Sequence, residues 1–116
     1  MNKPEPSEDL GSVIASRVVE GTDPDGARYD IHVFIGKPVR STKTRHDRFD
    51  CRIEIVGKGR RKQMKLGGSD SVQALLYALA IAPVRLRAMY GKELDLDWIG
   101  DPFPYGFCWP SSGKDA

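Results

Sequence analysis

FDCRIEIVGKGRRKQMKLGGSDSVQALL, Phe49 to Leu76, changes its hydrophobic period twice within 28 residues. Phe49, Cys51, Ile53 and Ile55 alternate with Asp50, Arg52 and Glu54, the period-2 pattern of a strand with one face buried. Gly57-Lys58-Gly59 reads as a tight reversal. Arg61 to Leu66 then reads as the return strand, with Met64 and Leu66 turned inward. From Ser71 the period lengthens to that of a helix. Asp70 is a good N-cap and Gln73 stands three residues on, where a capping-box partner belongs. Gly91 marks the stop, giving a helix from about Ser71 to Tyr90.

The junction inside this stretch, Leu66-Gly67-Gly68-Ser69-Asp70-Ser71, has the parts of a phosphate cradle: two glycines, hydroxyls and a helix start. A phosphate loop, however, needs lysine directly after its second glycine, and here Ser69 follows Gly68. A dinucleotide fingerprint needs three spaced glycines within a parallel βαβ unit. Asp70 also places a negative charge where the phosphate would sit. The junction therefore reads as a capped strand-to-helix joint, with Asp70 and Gln73 as helix-cap residues.

Toward the N-terminus, Ser12 to Glu20 is β-branched and bounded by glycine, so it reads as a strand. Asp23-Pro24-Asp25-Gly26 reverses the chain. Tyr29, Ile31, Val33 and Ile35 then alternate with Asp30 and His32. Lys37 to Arg48 has no period and reads as a long basic loop. The expectation is an α+β fold: a four-stranded antiparallel meander with one long helix across a face. On a helical wheel, Val72, Leu75, Leu76, Leu79, Pro83, Leu86 and Tyr90 form the stripe expected on the sheet. The other side carries Ala74, Tyr77, Ala78, Ile81, Val84 and Ala88, so the helix is apolar all round and needs a second cover. Pro83 predicts a kink or break near Leu79–Pro83. Residues 98 to 109, WIGDPFPYGFCW, hold half of the chain's ten aromatics between prolines and glycines. They read as an irregular aromatic C-terminal strap. Strap or dimer contact is expected at Ala74, Tyr77, Ala78, Ile81, Trp98, Phe103, Phe107 and Trp109, with either the tail or a second copy as the cover.

A chain of 116 residues fits one domain, expected over residues 12–110. The polar lead MNKPEPSEDLG (1–11) and the tail 111–116 are expected to be disordered. No basic-then-apolar signal sequence opens the chain, and the longest uncharged run, Ser71 to Val84, falls short of the ~20 residues of a membrane span. Cys51 and Cys108 show no paired spacing and read as reduced thiols of a cytoplasmic protein.

Net charge is +2, but eleven Lys/Arg against three acids between Lys37 and Lys65 give that segment +8 and leave −6 elsewhere. An acidic or phosphate-bearing partner follows from that asymmetry. The candidate partner-binding residues are Lys37, Arg40, Lys43, Arg45, Arg48, Arg52, Arg60, Arg61, Lys62 and Lys65. Nucleic acid is the runner-up partner, weakened by the absence of interleaved aromatics and of a polar recognition helix. His32, His46, Cys51 and Cys108 supply no metal-ligand set. Ser69 or Ser71 with His46 and Asp47 does not form a triad, because adjacent His and Asp do not orient an imidazole. Asp95 and Asp97 read as a cap or as solvated charges. No catalytic residue, metal or cofactor is expected, and the function expected is that of a non-enzymatic protein-binding module, regulatory or immunity-like.

SDSVQALLYALAIAPVRLRAM followed by LDWIGDPFPYGF resembles a family of small bacterial domains of unknown function. The residues that carry the likeness are Asp70, Ser71, Val72, Gln73, Ala74 and Leu75, then Trp98, Gly100, Gly106 and Phe107. The resemblance implies a single-domain bacterial protein and brings no activity with it.

Overall fold

A computed structural model describes residues 3–42 and 48–97 of the chain. Six strands and one helix follow one another: β1 (Val13–Thr22), β2 (Arg28–Gly36), β3 (Val39–Arg40), β4 (Phe49–Gly57), β5 (Arg60–Gly68), α1 (Ser71–Tyr90) and β6 (Asp95–Asp97). All pairings are antiparallel, and they place the strands side by side as β5-β4-β2-β1-β6. β3 continues along the same edge of β4 that β2 occupies, pairing Val39 with Asp50 and Arg40 with Phe49. The fold is thus α+β, with six strands where four were expected. The four long strands are the expected ones. β3 and β6 are two and three residues long, too short to show an alternation. β3 also takes up part of what reads as loop in the sequence, Lys37 to Arg48.

Local chemistry sets both hairpins. Asp23 Oδ1 accepts from the Asp25 and Ala27 amides at 2.9 Å each, and Gly26 takes a positive φ of 89°. At the other hairpin Lys58 (φ 52°) and Gly59 (φ 76°) are both left-handed. That is the primed two-residue turn whose twist matches the strands it joins.

The odd-numbered residues of β1, β2 and β4 face α1. Val19, Ile31, Val33, Ile35, Cys51, Ile53 and Ile55 are buried there beneath Ala74, Ala78, Ala82, Leu86 and Tyr90. This corrects the wheel. Ala74 and Ala78, expected at a strap or dimer contact, are core residues, while Val72 is 63% and Leu76 38% exposed. A helix can approach a sheet closely only along its smallest side chains. The alanine row therefore takes the middle of the contact, with Leu75, Leu79, Ile81 and Met89 packed at its flanks. Tyr77 and Val84 point outward, so α1 does carry an apolar outer face. The break expected near Leu79–Pro83 is absent: the helix runs continuously from Ser71 to Tyr90. At 20 residues it is long and apolar enough to cross a membrane, by length and composition alone. The shorter count in the sequence stopped at Arg85, whereas the helix continues past it.

The two glycines of the junction do not turn the chain. Gly67 and Gly68 are the last pairs of β5, opposite Asp50 and Phe49. A Cβ on Gly68 would lie 2.5 Å from the Ala74 amide nitrogen, so glycine is what lets the first helical turn close onto the strand.

The lead residues, expected to be disordered, lie on the back of the sheet. Glu8–Leu10 form a 3-10 turn, and Leu10 is buried. Ser7 is held by Glu54 of β4 through its amide (2.8 Å) and its hydroxyl (2.5 Å). Gln63 donates to Asp9 at 3.1 Å, and Arg61 to the Glu5 carbonyl at 3.0 Å. The strap expected over 98–109 and the tail 111–116 lie outside the described residues.

Candidate binding cleft

The back of the sheet presents the even-numbered residues of β1, β2 and β4 and the odd-numbered ones of β5. At its β4–β5 turn end this face forms an open cleft of about 1060 Å³. The floor is Val18 and Glu20 of β1, Arg28, Asp30 and His32 of β2, and Val56 of β4. Lys3 and Pro4 bound one side, and Gly57 to Arg61 the other. Five cations (Lys3, Arg28, Lys58, Arg60, Arg61) stand against two acids among the lining residues, Glu20 and Asp30. His32 stacks on Phe34 with centroids 6.0 Å apart.

Most of these cations are already oriented by carboxylates. Glu93 holds Lys58 at 3.0 Å and also pairs with Arg60. The hydrogen bonds from Lys58 and Arg60 hold the Glu93 carboxyl below its ordinary range. Arg28 sits 3.8 Å from Glu20, with both groups well exposed. Lys58 lies 5.0 Å from the centre of the Tyr29 ring, and Arg60 5.3 Å from that of Tyr90. The Tyr90 hydroxyl donates to the Gly57 carbonyl at 2.8 Å and ties the turn to the helix. Burial raises the pKa of that phenol, against the opposing pull of Arg60.

Glu54 anchors the neighbouring part of the same face. It is 1% exposed and is the one buried charged residue among those described. Burial alone would raise its pKa. The Ser7 hydroxyl and amide, with Arg61 at 3.1 Å, outweigh that and hold the carboxylate below its ordinary range. In the sequence Glu54 reads only as the polar half of an alternation. Nothing there signals that a residue 47 positions earlier would cover it.

The basic residues expected to form one surface are divided between both sides of the sheet. Arg52, Arg61 and Lys65 lie on the back, whereas Lys62 pairs with Ile55 and lies on the helix side. Arg48 (3.7 Å) and Lys65 (4.0 Å) share Asp50, and Arg52 donates to Gln63 at 3.2 Å. Lys37 follows β2, its amide bonded to the Ser12 carbonyl, and Arg40 is in β3. Only Arg60 and Arg61 of that set line the cleft. Lys43, Arg45, His46 and Asp47 lie outside the described residues, as do Cys108, Trp98, Phe103, Phe107 and Trp109. Lys3 and Arg28, which also line the cleft, are separate from the basic segment in sequence, and Lys58, inside that segment, reads there only as a turn residue.

The remaining candidates have structural settings. At the junction Asp70 Oδ1 accepts from the Gln73 amide at 2.7 Å, and Gln73 Oε1 accepts from the Ser69 amide (2.8 Å) and hydroxyl (3.0 Å). The box closes one residue earlier than the usual pattern, on Ser69 rather than on Asp70. These bonds engage the Ser69 and Gln73 amides and the Ser69 hydroxyl within the chain. The Cys51 thiol lies 3.3 Å from the Gly36 carbonyl, and burial pushes its pKa up to about 11. Asp95 and Asp97 lie exposed in β6 opposite Thr22 and Glu20. Among the described residues no three His, Cys, Asp or Glu side chains converge to hold a metal ion.

A family model described as a domain of unknown function, DUF6968, matches residues 15–109. The chain belongs to that family. The DUF6968 match takes in the sheet, the helix and the segment that follows β6. No curated protein and no solved structure matches the chain.

Proposed function

We propose that this DUF6968 domain is a non-enzymatic protein-binding module that receives an acidic segment of a partner in the back-face cleft. The observation that supports it most is the composition of that cleft. Lys3, Arg28 and Arg61 line an open floor with apolar patches at Val18 and Val56, and Lys58 and Arg60 stand at its turn end with their side chains held by Glu93 on the helix side, a shape and charge suited to an extended chain bearing carboxylates. The Glu93 and Glu54 pairings keep Lys58, Arg60 and Arg61 in place before any partner arrives, which lowers the ordering cost of binding. The basic strand-and-turn segment thus contributes through its turn end rather than as one broad surface. Nucleic acid is the weaker partner, because α1 turns an apolar face outward and offers no helix to a groove.

The test is fluorescence anisotropy of a labelled Glu/Asp-rich peptide at low ionic strength, with single-stranded and duplex oligonucleotides in parallel. The expected result is saturable binding of the acidic peptide that weakens with added salt. The double variant K3E/R28E, altering two exposed lining residues, should weaken it by about tenfold or more. An unchanged affinity in that variant, or tighter binding of the oligonucleotides, would refute the reading.

A further inference from the structure

Lys3, Arg28 and Arg61 line the cleft floor, and two of the three depend on the lead. Lys3 belongs to it. Arg61 donates from Nη1 to the Glu5 carbonyl (3.0 Å) and the Ser7 hydroxyl (3.3 Å) while pairing with Glu54 at 3.1 Å. We propose that residues Lys3 to Asp9 form a clasp, which seats on Glu54 through Ser7, lifts away while the sheet stays folded, and completes the cleft only when seated.

The lead is built to move as one piece. Pro4 and Pro6 fix φ at about −65° in two positions and keep the residues before them, Lys3 and Glu5, out of the helical region. Ser7 continues the extended conformation at φ −67° and ψ 150°. The stretch is therefore a short, stiff rod. Its pivot is Leu10-Gly11. Leu10 is buried and pins the C-terminal end of the lead to the sheet. Gly11 adopts φ 77°, which side-chain-bearing residues rarely take, and nothing lies within 4 Å of where a Cβ would stand.

Seating rests on polar contacts. From Lys3 to Asp9 no residue is fully buried: Pro4, Pro6 and Ser7 are half-buried, and the charged residues are exposed. Ser7 bonds Glu54 through amide and hydroxyl, Arg61 holds Glu5 and Ser7, and Gln63 holds Asp9 at 3.1 Å. Lifting the clasp breaks those bonds but strands no charge, because water reaches the Glu54 carboxylate as its cover leaves. A segment held in this way opens locally, well below the free energy of global unfolding. Ser7 and Glu54 line no part of the cleft. They act on it as positioning residues, keeping Lys3 at its side and Arg61 oriented. A ligand that prefers the seated form must hold the clasp down by the same factor that seating adds to its affinity. That coupling rests on the acidic-partner reading above; the opening and closing of the clasp does not.

Hydrogen exchange on the unaltered chain at pH 7 follows the clasp without a ligand, through the Ser7 amide that donates to Glu54. This amide should exchange about tenfold or more slower than the free-chain rate, and about tenfold or more faster than the Ile53 and Ile55 amides of β4. Free-chain exchange means that the lead does not seat, and exchange as slow as that of β4 means that it does not lift. Either result overturns the proposal. Anisotropy with the Glu/Asp-rich peptide then measures the coupling in the full chain. Ser7→Pro removes both bonds to Glu54 at a φ that proline accepts, and it should weaken binding by about fivefold or more. Glu8→Ala, which alters an exposed side chain of the lead, should leave the affinity unchanged. Saturating peptide should slow Ser7 amide exchange in the unaltered chain by the same factor. Circular dichroism checks that Ser7→Pro folds; if it does not, Ser7→Ala, which loses the hydroxyl bond alone, should weaken binding by about threefold. Unchanged affinity in the Ser7 variants would overturn the proposal. Tighter binding would also overturn it, by making the lead a competitor for the cleft. If the unaltered chain binds no peptide, the acidic-partner reading falls, and the exchange rates alone decide the clasp.

Discussion

Replacing Glu54 by glutamine tests how the back of the sheet is held. The glutamine keeps the shape and removes the charge. In the folded chain Glu54 accepts two hydrogen bonds from Ser7 and an ion pair from Arg61. Hydrogen bonds to a charged group contribute about 1.5–3 kcal/mol each, and neutral ones about 0.5–1.5. The Arg61 side chain is 43% exposed, so its pair with Glu54 adds less than 1 kcal/mol or so. Because the single carbonyl oxygen of glutamine still accepts one of the two Ser7 bonds, the net loss comes to about 2 kcal/mol, or roughly 8 °C in Tm for a domain of this size. The loss should depend on pH. The Glu54 carboxyl has a lower pKa folded than unfolded. Its contribution is therefore complete above the unfolded value of about 4.3 and disappears as pH falls through the folded value. Thermal unfolding followed by circular dichroism at pH 7 and at steps below pH 4.5 measures both effects. Wild type and E54Q should differ at pH 7 and converge in acid. A cycle with Ser7→Ala should show non-additive losses, since the two residues share bonds. Equal melting at pH 7, or a gap that stays constant into acid, would refute the reasoning.

Three further outcomes follow from the packing. Ala78→Leu should destabilise by about 2 kcal/mol or more through overpacking under the helix, whereas Leu76→Ala should cost less than about 1; denaturant unfolding distinguishes them, and the wheel's choice of face would predict the reverse order. Gly68→Ala should lower Tm by several degrees, because its Cβ would meet the Ala74 amide at 2.5 Å. In a chain with Cys108→Ser, the buried Cys51 thiol should resist a disulfide reagent at pH 8 and react at once in guanidinium, because its pKa of about 11 and its burial both suppress the thiolate.

The candidate cleft was legible only in part. Arg60 and Arg61 were marked by their place in a basic run. Lys3 and Arg28 were not, because they lie far from that run in sequence, and Lys58, within it, read only as part of the turn. The +8 of the segment from Lys37 to Lys65 counts charge along the chain. In space Asp50, Glu54 and Glu93 stand beside several of those cations, and Glu93 comes from outside the segment altogether.

The sequence by itself determined what depends on neighbours a few residues apart. The alternation at Phe49–Ile55 set the strand and its buried face, Asp23 and the Lys58–Gly59 pair set the two reversals, and Asp70 set the start of the helix. The tertiary structure decided what depends on fit between distant parts. It set Ala74, Ala78 and Ala82 of α1 in the middle of the sheet contact beside Leu86 and Tyr90, and left Val72 and Leu76 exposed, because the smallest side chains allow the closest approach. It laid the lead residues over Glu54, because a buried carboxylate requires donors and Ser7 supplies them. β3 and β6 likewise exist only through their partners, for strands of two and three residues have too few side chains to express a period of their own.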